Sequence, residues 1–365
     1  MAAAFSAPKT IPPVEAPKQF DHQQPAPFLP EVREFLWVDQ ARLAFGVTGK
    51  GLTVAVLDTG LNSQHVDFAG RVPAQRNFTA DNGSNPDDAT DGNGHGTNVG
   101  GIIVANGDHK GIAPGANIIP LKVLSNEGGG SFETVDQALA WVLENRETHN
   151  ITMVSMSLGD SGNYTSDDFG EDAIRQKIRK LRDLRVPVVI AAGNDYFTHN
   201  SQQGMGYPAI IRECVSVGAL YDAPGGGFTY GSGAKALSRK AGQITPFSQR
   251  LHPKVNRATN TRIFAPGAPV TSSGINGPHG ESVQHGTSQA TPVTAGLLLL
   301  MQEFHKHKTG ELPSVAKLVN WLQKGGIAIH DGDDENDNVQ HTKLNFIRAD
   351  ALSALDAVRR ALLAL

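Results

Sequence analysis

The chain has 365 residues, 39% of them hydrophobic and 19% charged, which is enough apolar material for a sizeable core and argues against global disorder. A net charge of -4 gives no general attraction to nucleic acid or to an anionic membrane, and no run of about eighteen apolar residues is present to span a bilayer. The start, Met1 to Pro8, lacks a basic segment followed by an apolar one, as expected either of a cytoplasmic chain or of a secreted one whose signal lies outside this sequence, and the single cysteine, Cys214, excludes an intrachain disulfide.

Seven of the 21 prolines fall in residues 1–30, a stretch with neither helical nor strand period, and residues 1–40 read as a proline-rich N-terminal extension. From Leu52 the chain alternates apolar strands with helical stretches. Thr53–Leu57, Asn117–Val123, Thr152–Ser157, Val186–Ala191 and Cys214–Ala219 read as strands. Phe132, Val135, Leu139, Val142 and Leu143 recur at helical spacing, as do Ile174, Ile178 and Leu181, with Arg and Lys on the opposite face. Strands that are apolar throughout and separated by helices imply an α/β fold, a mostly parallel sheet covered on both faces. Cys214 lies inside one such strand and reads as a packed, inert thiol.

Pro292–Met301 reads as a long buried helix, and Val315, Leu318, Val319 and Leu322 as an amphipathic one. Residues 41–360 read as one domain, with insertions at about 221–262, an acidic loop at 331–338 and a short tail at 361–365. The insertion carries Lys235, Arg239, Lys240, Arg250, Lys254, Arg257 and Arg262. It reads either as solvated loops or as a docking surface for an acidic partner.

Three segments carry chemistry. Val56-Leu-Asp-Thr-Gly60 ends a strand, Gly94-His-Gly-Thr97 is glycine-rich, and Gly286-Thr-Ser-Gln-Ala-Thr-Pro292 opens the long apolar helix. They supply a carboxylate (Asp58), an imidazole (His95) and a hydroxyl (Ser288). A serine hydroxyl is a poor nucleophile at neutral pH; it needs a base, and the base needs a carboxylate to fix its tautomer. Taken singly, Asp58 is a strand-end turn residue, His95 a metal ligand and Ser288 a helix cap. Their combination points to nucleophilic catalysis, and the order Asp, His, Ser is one the chemistry is known to adopt.

These segments resemble the signatures of the subtilisin-like serine proteases (subtilases). Val54–Leu61 is similar to the aspartate signature, with His65 and Asp67 following; His95–Ile102 is similar to the histidine signature, and Gly286–Pro292, with Ala295-Gly296 behind, to the serine signature. Ala191-Ala-Gly-Asn194 is similar to the stretch that carries the family's oxyanion asparagine. In organisation the chain most resembles the intracellular subtilisins. The resemblance implies a three-layer fold and a serine endopeptidase working through an acyl-enzyme, with Asn194 as oxyanion donor. It also implies that Ser157, Leu158 and Gly159 form one substrate-binding wall and Gly128, Gly129 and Gly130 the other. Ala191, Ala192, Gly193 and Gly206 would line the primary specificity pocket, with Asp195 at its rim, able to tolerate a basic side chain. The expected partner is a peptide or protein substrate, with neither nucleic acid nor membrane.

No cofactor is needed for such chemistry. Structural calcium is the metal to weigh. Asp67 matches a calcium ligand of the family, but the loop at 106–110 is short beside the usual calcium-wrapping one. The acidic run with Asp331, Asp333, Glu335 and Asp337 suits calcium by its oxygen content, yet lacks the twelfth-position glutamate of an EF-hand. The segment Pro25–Pro30, apolar at Phe28 and Leu29, resembles the short proline-containing extension of intracellular subtilisins, long enough to reach the cleft and restrain it. Two rival classes make different demands on the sequence. An α/β-hydrolase esterase needs Gly-x-Ser-x-Gly and the order Ser, Asp, His, neither of which occurs. A peptide-binding module on a dead protease fold need not keep all four site residues.

Overall fold

The computed structural model describes residues 6–14, 18–21, 30–251, 263–332 and 336–364. Its strands are β1 (Thr10–Ile11), β2 (Lys18–Asp21), β3 (Thr53–Asp58), β4 (Arg76–Asn77), β5 (Asn117–Lys122), β6 (Gly130–Ser131), β7 (Ile151–Met156), β8 (Val188–Ala191) and β9 (Val215–Leu220). There follow β10 (Gly225–Thr229), β11 (Lys235–Arg239), β12 (Ile263–Pro266), β13 (Val270–Ser273), β14 (Gly280–Gln284), β15 (Ile327–His330), β16 (Asn336–Asp337) and β17 (Asn345–Arg348). The helices are α1 (Pro30–Phe35), α2 (Val38–Phe45), α3 (His95–Val104), α4 (Phe132–Asn145), α5 (Ala173–Asp183), α6 (Thr287–Thr309), α7 (Val315–Gly325) and α8 (Ala351–Leu363).

Nine strands form one sheet in the order β15-β17-β12-β9-β8-β7-β3-β5-β4, parallel throughout except for the β15–β17 pair. Side chains alternate across a strand, and β3 shows the consequence. Val54 and Val56 pack into the core under α3, α6 and α8, while Ala55 and Leu57 pack into the core under α4 and α5. Two cores on one sheet make three layers, and every residue of β3 and β7 is buried. β3 lies between β5, reached through α3, and β7, reached by stepping back through α4. That reversal opens a crevice at the carboxyl end of β3, where Asp58 sits.

α6 begins at Thr287, earlier than the expected Pro292, and runs through the proline. A helical proline removes the N–H that would reach the carbonyl four residues back, here that of Ser288. Ser157 Oγ donates to that carbonyl at 2.7 Å instead, so the helix continues without an orphaned acceptor. Cys214 is buried as expected; burial pushes its thiol pKa up to about 12.

The insertion is more ordered than solvated loops. β10 and β11 form a hairpin that β16 extends, and Phe228, Tyr230 and Ala236 pack against the core. Two of its cations are used internally: Arg239 lies over the Phe228 ring at 4.8 Å, and Arg250 is fully buried against Asp331. Lys254, Arg257 and Arg262 lie outside the described residues. The N-terminal extension, expected to be without strands, contributes two. β1 pairs antiparallel with β6 and β2 antiparallel with β14, so their partners, not their own pattern, make them strands. At the other end α8 runs to Leu363, into the expected tail.

Gly296 lets α6 touch the loop after α3: a Cβ there would stand 2.5 Å from Ile112 Cβ. Overpacking of this kind costs about 1–3 kcal/mol. Gly296→Val is therefore expected to lower stability by at least that amount in denaturant unfolding, and an unchanged midpoint would contradict the packing described.

Candidate active site

Asp58 is 1% exposed, and its Oδ1 accepts from Thr59 N at 2.8 Å and meets His95 Nδ1 at 2.7 Å. Its Oδ2 is buried with no hydrogen-bond partner among the described residues. A carboxylate only accepts, so Nδ1 carries the proton and Nε2 of His95 is left as the base. His95 is the first residue of α3. The chain can start a helix there because Gly96 lacks a side chain: a Cβ would lie 2.3 Å from the Gly60 carbonyl oxygen.

The group that pins this turn was not apparent from the sequence. Gly94 caps α3 without a side chain, and the buried Asp91 does the capping. Asp91 Oδ1 accepts from Asn93 N, Gly94 N and Thr59 Oγ1, and Oδ2 from Thr97 N and Thr97 Oγ1. An aspartate a few residues ahead of a glycine-rich helix start is the signal that could have found it.

Ser288 lies in the first turn of α6, and its Oγ donates to the Ser157 carbonyl at 3.3 Å. Ser288 and His95 line one pocket of about 230 Å³ with Ser157, Leu158, Gly159, Ala191, Gly193, Asn194, Asp195 and Gly206. Asn194 is oriented by a second group missed in the sequence, Thr287. Asn194 Oδ1 accepts from Thr287 N at 2.8 Å and Thr287 Oγ1 at 2.9 Å, which turns its NH₂ group away from Thr287. The Ser288 N–H falls in a helical first turn, where no intrahelical acceptor exists. The two donors and the positive end of α6 suit a developing anion.

Ala192 lies beneath the pocket, 2% exposed, with its carbonyl accepting from Gly206 N. Gly128, Gly129 and Gly130 meet the N-terminal arm: Ile11 pairs with Gly130, and Val14 N donates to Gly128 O at 3.1 Å. Pro12, Pro13 and Val14 line the same pocket as Ser288. The segment seated here is thus 9–14; Phe28 and Leu29 lie outside the described residues.

The calcium candidates among the described residues, Asp67, Asp331 and Asp337, do not fit that ion. Asp67 is fully buried, and its oxygens accept from His109 Nδ1 at 2.7 Å, Ser273 Oγ at 2.6 Å, His109 N and Gly107 N. His65, Asp67 and His109 offer ligand atoms within 4.8 Å of one another, but both His65 nitrogens, His109 Nδ1 and the Asp67 oxygens already have protein partners. His65 Nε2 donates to Gly280 O and its Nδ1 accepts from Asp67 N, a neutral ring consistent with burial lowering its pKa. Asp331 faces Arg250 at 3.1 Å and also accepts from Thr342. Asp337 accepts from Val339 N and lies 3.4 Å from His341 Nε2, while Asp333 and Glu335 lie outside the described residues. Calcium needs six or more available oxygens, and these carboxylates already have protein donors.

The model of the subtilase family matches residues 49–323. The chain is 30% identical over 258 residues to the "Intracellular serine protease" of Paenibacillus polymyxa, covering 70% of this chain and 68% of that protein. It is 31% identical over 267 residues to the "Major intracellular serine protease" of Bacillus subtilis (strain 168), covering 72% of each. It is 30% identical over 259 residues to the "Subtilisin" of Bacillus sp. (strain TA39), covering 68% of this chain and 56% of that protein. Subtilases commonly bind structural calcium. Among the described residues, no helix is long and apolar enough to cross a membrane.

The Asp67–His109 pair makes stability depend on pH with a definite sign. Burial alone would raise the Asp67 pKa, but hydrogen bonds from His109 and Ser273 outweigh it and hold the carboxyl below its usual value. Burial alone would lower the His109 pKa, but Asp67 and the Glu281 carboxylate at 3.3 Å outweigh it and raise it. The Asp67 contribution is present above about pH 3.9 and lost as pH falls through its lower folded pKa; that of His109 is present below about pH 6.5 and lost as pH rises through its raised one. His109→Gln should therefore destabilise more at pH 5 than at pH 9 in urea titrations, and an equal loss at both would refute the assignment. EDTA should leave the melting temperature of the wild type within about a degree, since a bound folded-state ligand would raise it appreciably.

Proposed function

The chain belongs to the subtilase family and is a subtilisin-like serine endopeptidase acting on peptide or protein substrates, and we propose that Asp58, His95, Ser288 and Asn194 carry out its chemistry. Ser288 Oγ attacks the scissile carbonyl while His95 Nε2 takes its proton. Asp58 holds the ring and stabilises the imidazolium. The oxyanion rests on Asn194 NH₂ and the Ser288 N–H. His95 returns the proton to the leaving amine, and water then hydrolyses the acyl-enzyme by the same route. No metal takes part in these steps, because base, orienting acid and oxyanion donors are all side chains or backbone of this chain. The observation that carries the reading is the 2.7 Å His95–Asp58 contact opening on the pocket that holds Ser288 and Asn194. The extended substrate pairs with residues 128–130 on one side and 157–159 on the other. A cytoplasmic location is supported by the printed names of two relatives and by the lone cysteine.

The arm restrains the enzyme. It pairs with the substrate edge through β1, fills the pocket mouth with Pro12, Pro13 and Val14, and continues to β14 through β2. Two prolines without N–H donors occupy the cleft while supplying little of the pairing a cleavable strand makes.

Ser288→Ala and His95→Ala should each cut kcat/KM for a peptide substrate by roughly 10⁴-fold or more, with no further loss in the double variant. Asn194→Ala should lose about 10²–10³-fold in kcat. A fluorophosphonate should label Ser288; an unlabelled protein would favour a peptide-binding module. Deleting residues 1–29 should raise the initial rate, and a peptide spanning Ser6–Asp21 should inhibit the shortened enzyme. Equal initial rates for unprocessed and shortened enzyme would overturn the restraint.

A further inference from the structure

Several hydrogen-bond acceptors gather on one side of the pocket beside Ser288. At its rim stands Asp195, half-buried, on the turn after Asn194. Burial raises its pKa and the nearby Asp160 charge adds to the rise, while Ser161, His199 and Thr198 oppose it. At the floor is Gly206. A Cβ built there would lie 3.5 Å from Asp160 Oδ1, 3.7 Å from Ala192 O and 3.8 Å from Gln249 Oε1, so only oxygens stand behind it. Asp160 is held by neutral donors: Gly162 N and Tyr207 N reach Oδ1 at 2.8 Å, and Tyr164 OH reaches Oδ2 at 2.7 Å.

Gln249 adds an independent sign. It is 1% exposed. Its Nε2 donates to Gly162 O at 3.0 Å and to Asn163 Oδ1 at 2.9 Å, two acceptors that fix which end of the amide is which. Its Oε1 is thereby turned toward the pocket's glycines, standing 1.7 Å from where a Cβ of Gly193 would be, and it is buried with no hydrogen-bond partner. A buried acceptor without a donor carries its full desolvation penalty. No lysine or arginine is among the described residues that line the pocket.

Resting on the reading of Ser288 as nucleophile, we propose that this pocket selects a lysine or arginine side chain on the acyl side of the scissile bond, with Asp195 and Asp160 balancing its charge and Gln249 Oε1 accepting from its terminal N–H. Lysine and arginine only donate, so they match the acceptors gathered behind Gly193 and Gly206. A large apolar side chain would leave Gln249 Oε1 unpaired and strip water from Asp195 without compensation, and a site with polar groups left unpaired rejects its ligand strongly. An acidic side chain would meet two like charges.

The test uses peptide substrates identical except for lysine, arginine, norleucine, phenylalanine or glutamate before the scissile bond, with full-length enzyme. Wild type should show kcat/KM for lysine or arginine at least tenfold above norleucine. Asp195→Asn should reduce the lysine-to-norleucine ratio at least fivefold, and Asp195→Lys should bring it below one. Gln249→Leu should also reduce the ratio, with a thermal melt to confirm folding; should that variant not fold, the two Asp195 variants decide. Wild type that cleaves norleucine or phenylalanine as well as lysine, or an unchanged ratio in Asp195→Asn, overturns the proposal. A protein that cleaves none of the substrates and takes no fluorophosphonate label overturns the nucleophile assignment instead, so the two failures are distinct.

Discussion

The site depends on the burial of one carboxylate. Asp58 sits 1% exposed at the end of β3, with one oxygen held by Thr59 N and His95 Nδ1 and the other without a partner. A buried charge so sparsely compensated is costly in the resting state. It gains most at the moment His95 becomes an imidazolium, because attraction between opposite charges is strongest where water is excluded. The structure therefore has to bring α3 hard against the strand end. It does so with a first turn lacking a side chain at Gly96 and with the Asp91 network, in which Thr59 Oγ1 both donates to Asp91 and accepts from Gly96 N.

The second constraint is α6. It is buried from Thr287 through His305, so it fixes the centre of one layer while presenting Ser288 at its start. Ser157 serves this helix twice: its hydroxyl satisfies the Ser288 carbonyl that Pro292 leaves open, and its carbonyl accepts from Ser288 Oγ. Thr287 ties the same turn to Asn194. One helix start thus ties together the Ser288 hydroxyl and N–H, Asn194 and Ser157 at the end of β7.

The parallel sheet was legible because its strands are buried on both faces and so apolar throughout, and the four site residues because each sits inside a short local pattern. What was not legible is set by partners far away in sequence. Asp67 reads as a metal ligand until Ser273 and the His109 ring are seen to fill its oxygens, and Asp331 until Arg250 does. The strands of the arm have no pattern of their own; β6 and β14 make them strands. The proline in α6 reads as a helix boundary because the group that replaces its missing bond lies 131 residues away. Local propensity yields in each case to a tertiary hydrogen bond.

The proposed restraint and the proposed selectivity rest on different contacts. Main-chain pairing along 128–131 and 280–283, together with the burial of Ile11, holds the arm. The pocket behind Asn194 reads one side chain through Asp195, Asp160 and Gln249, none of which lies on those edges. An arm held by its backbone does not have to satisfy the acceptors of that pocket, and its described residues at the pocket mouth, Pro12, Pro13 and Val14, have no side-chain donors to offer. In the proposed scheme a substrate that satisfies them gains an interaction the arm lacks, which works against the high effective concentration of a tethered competitor.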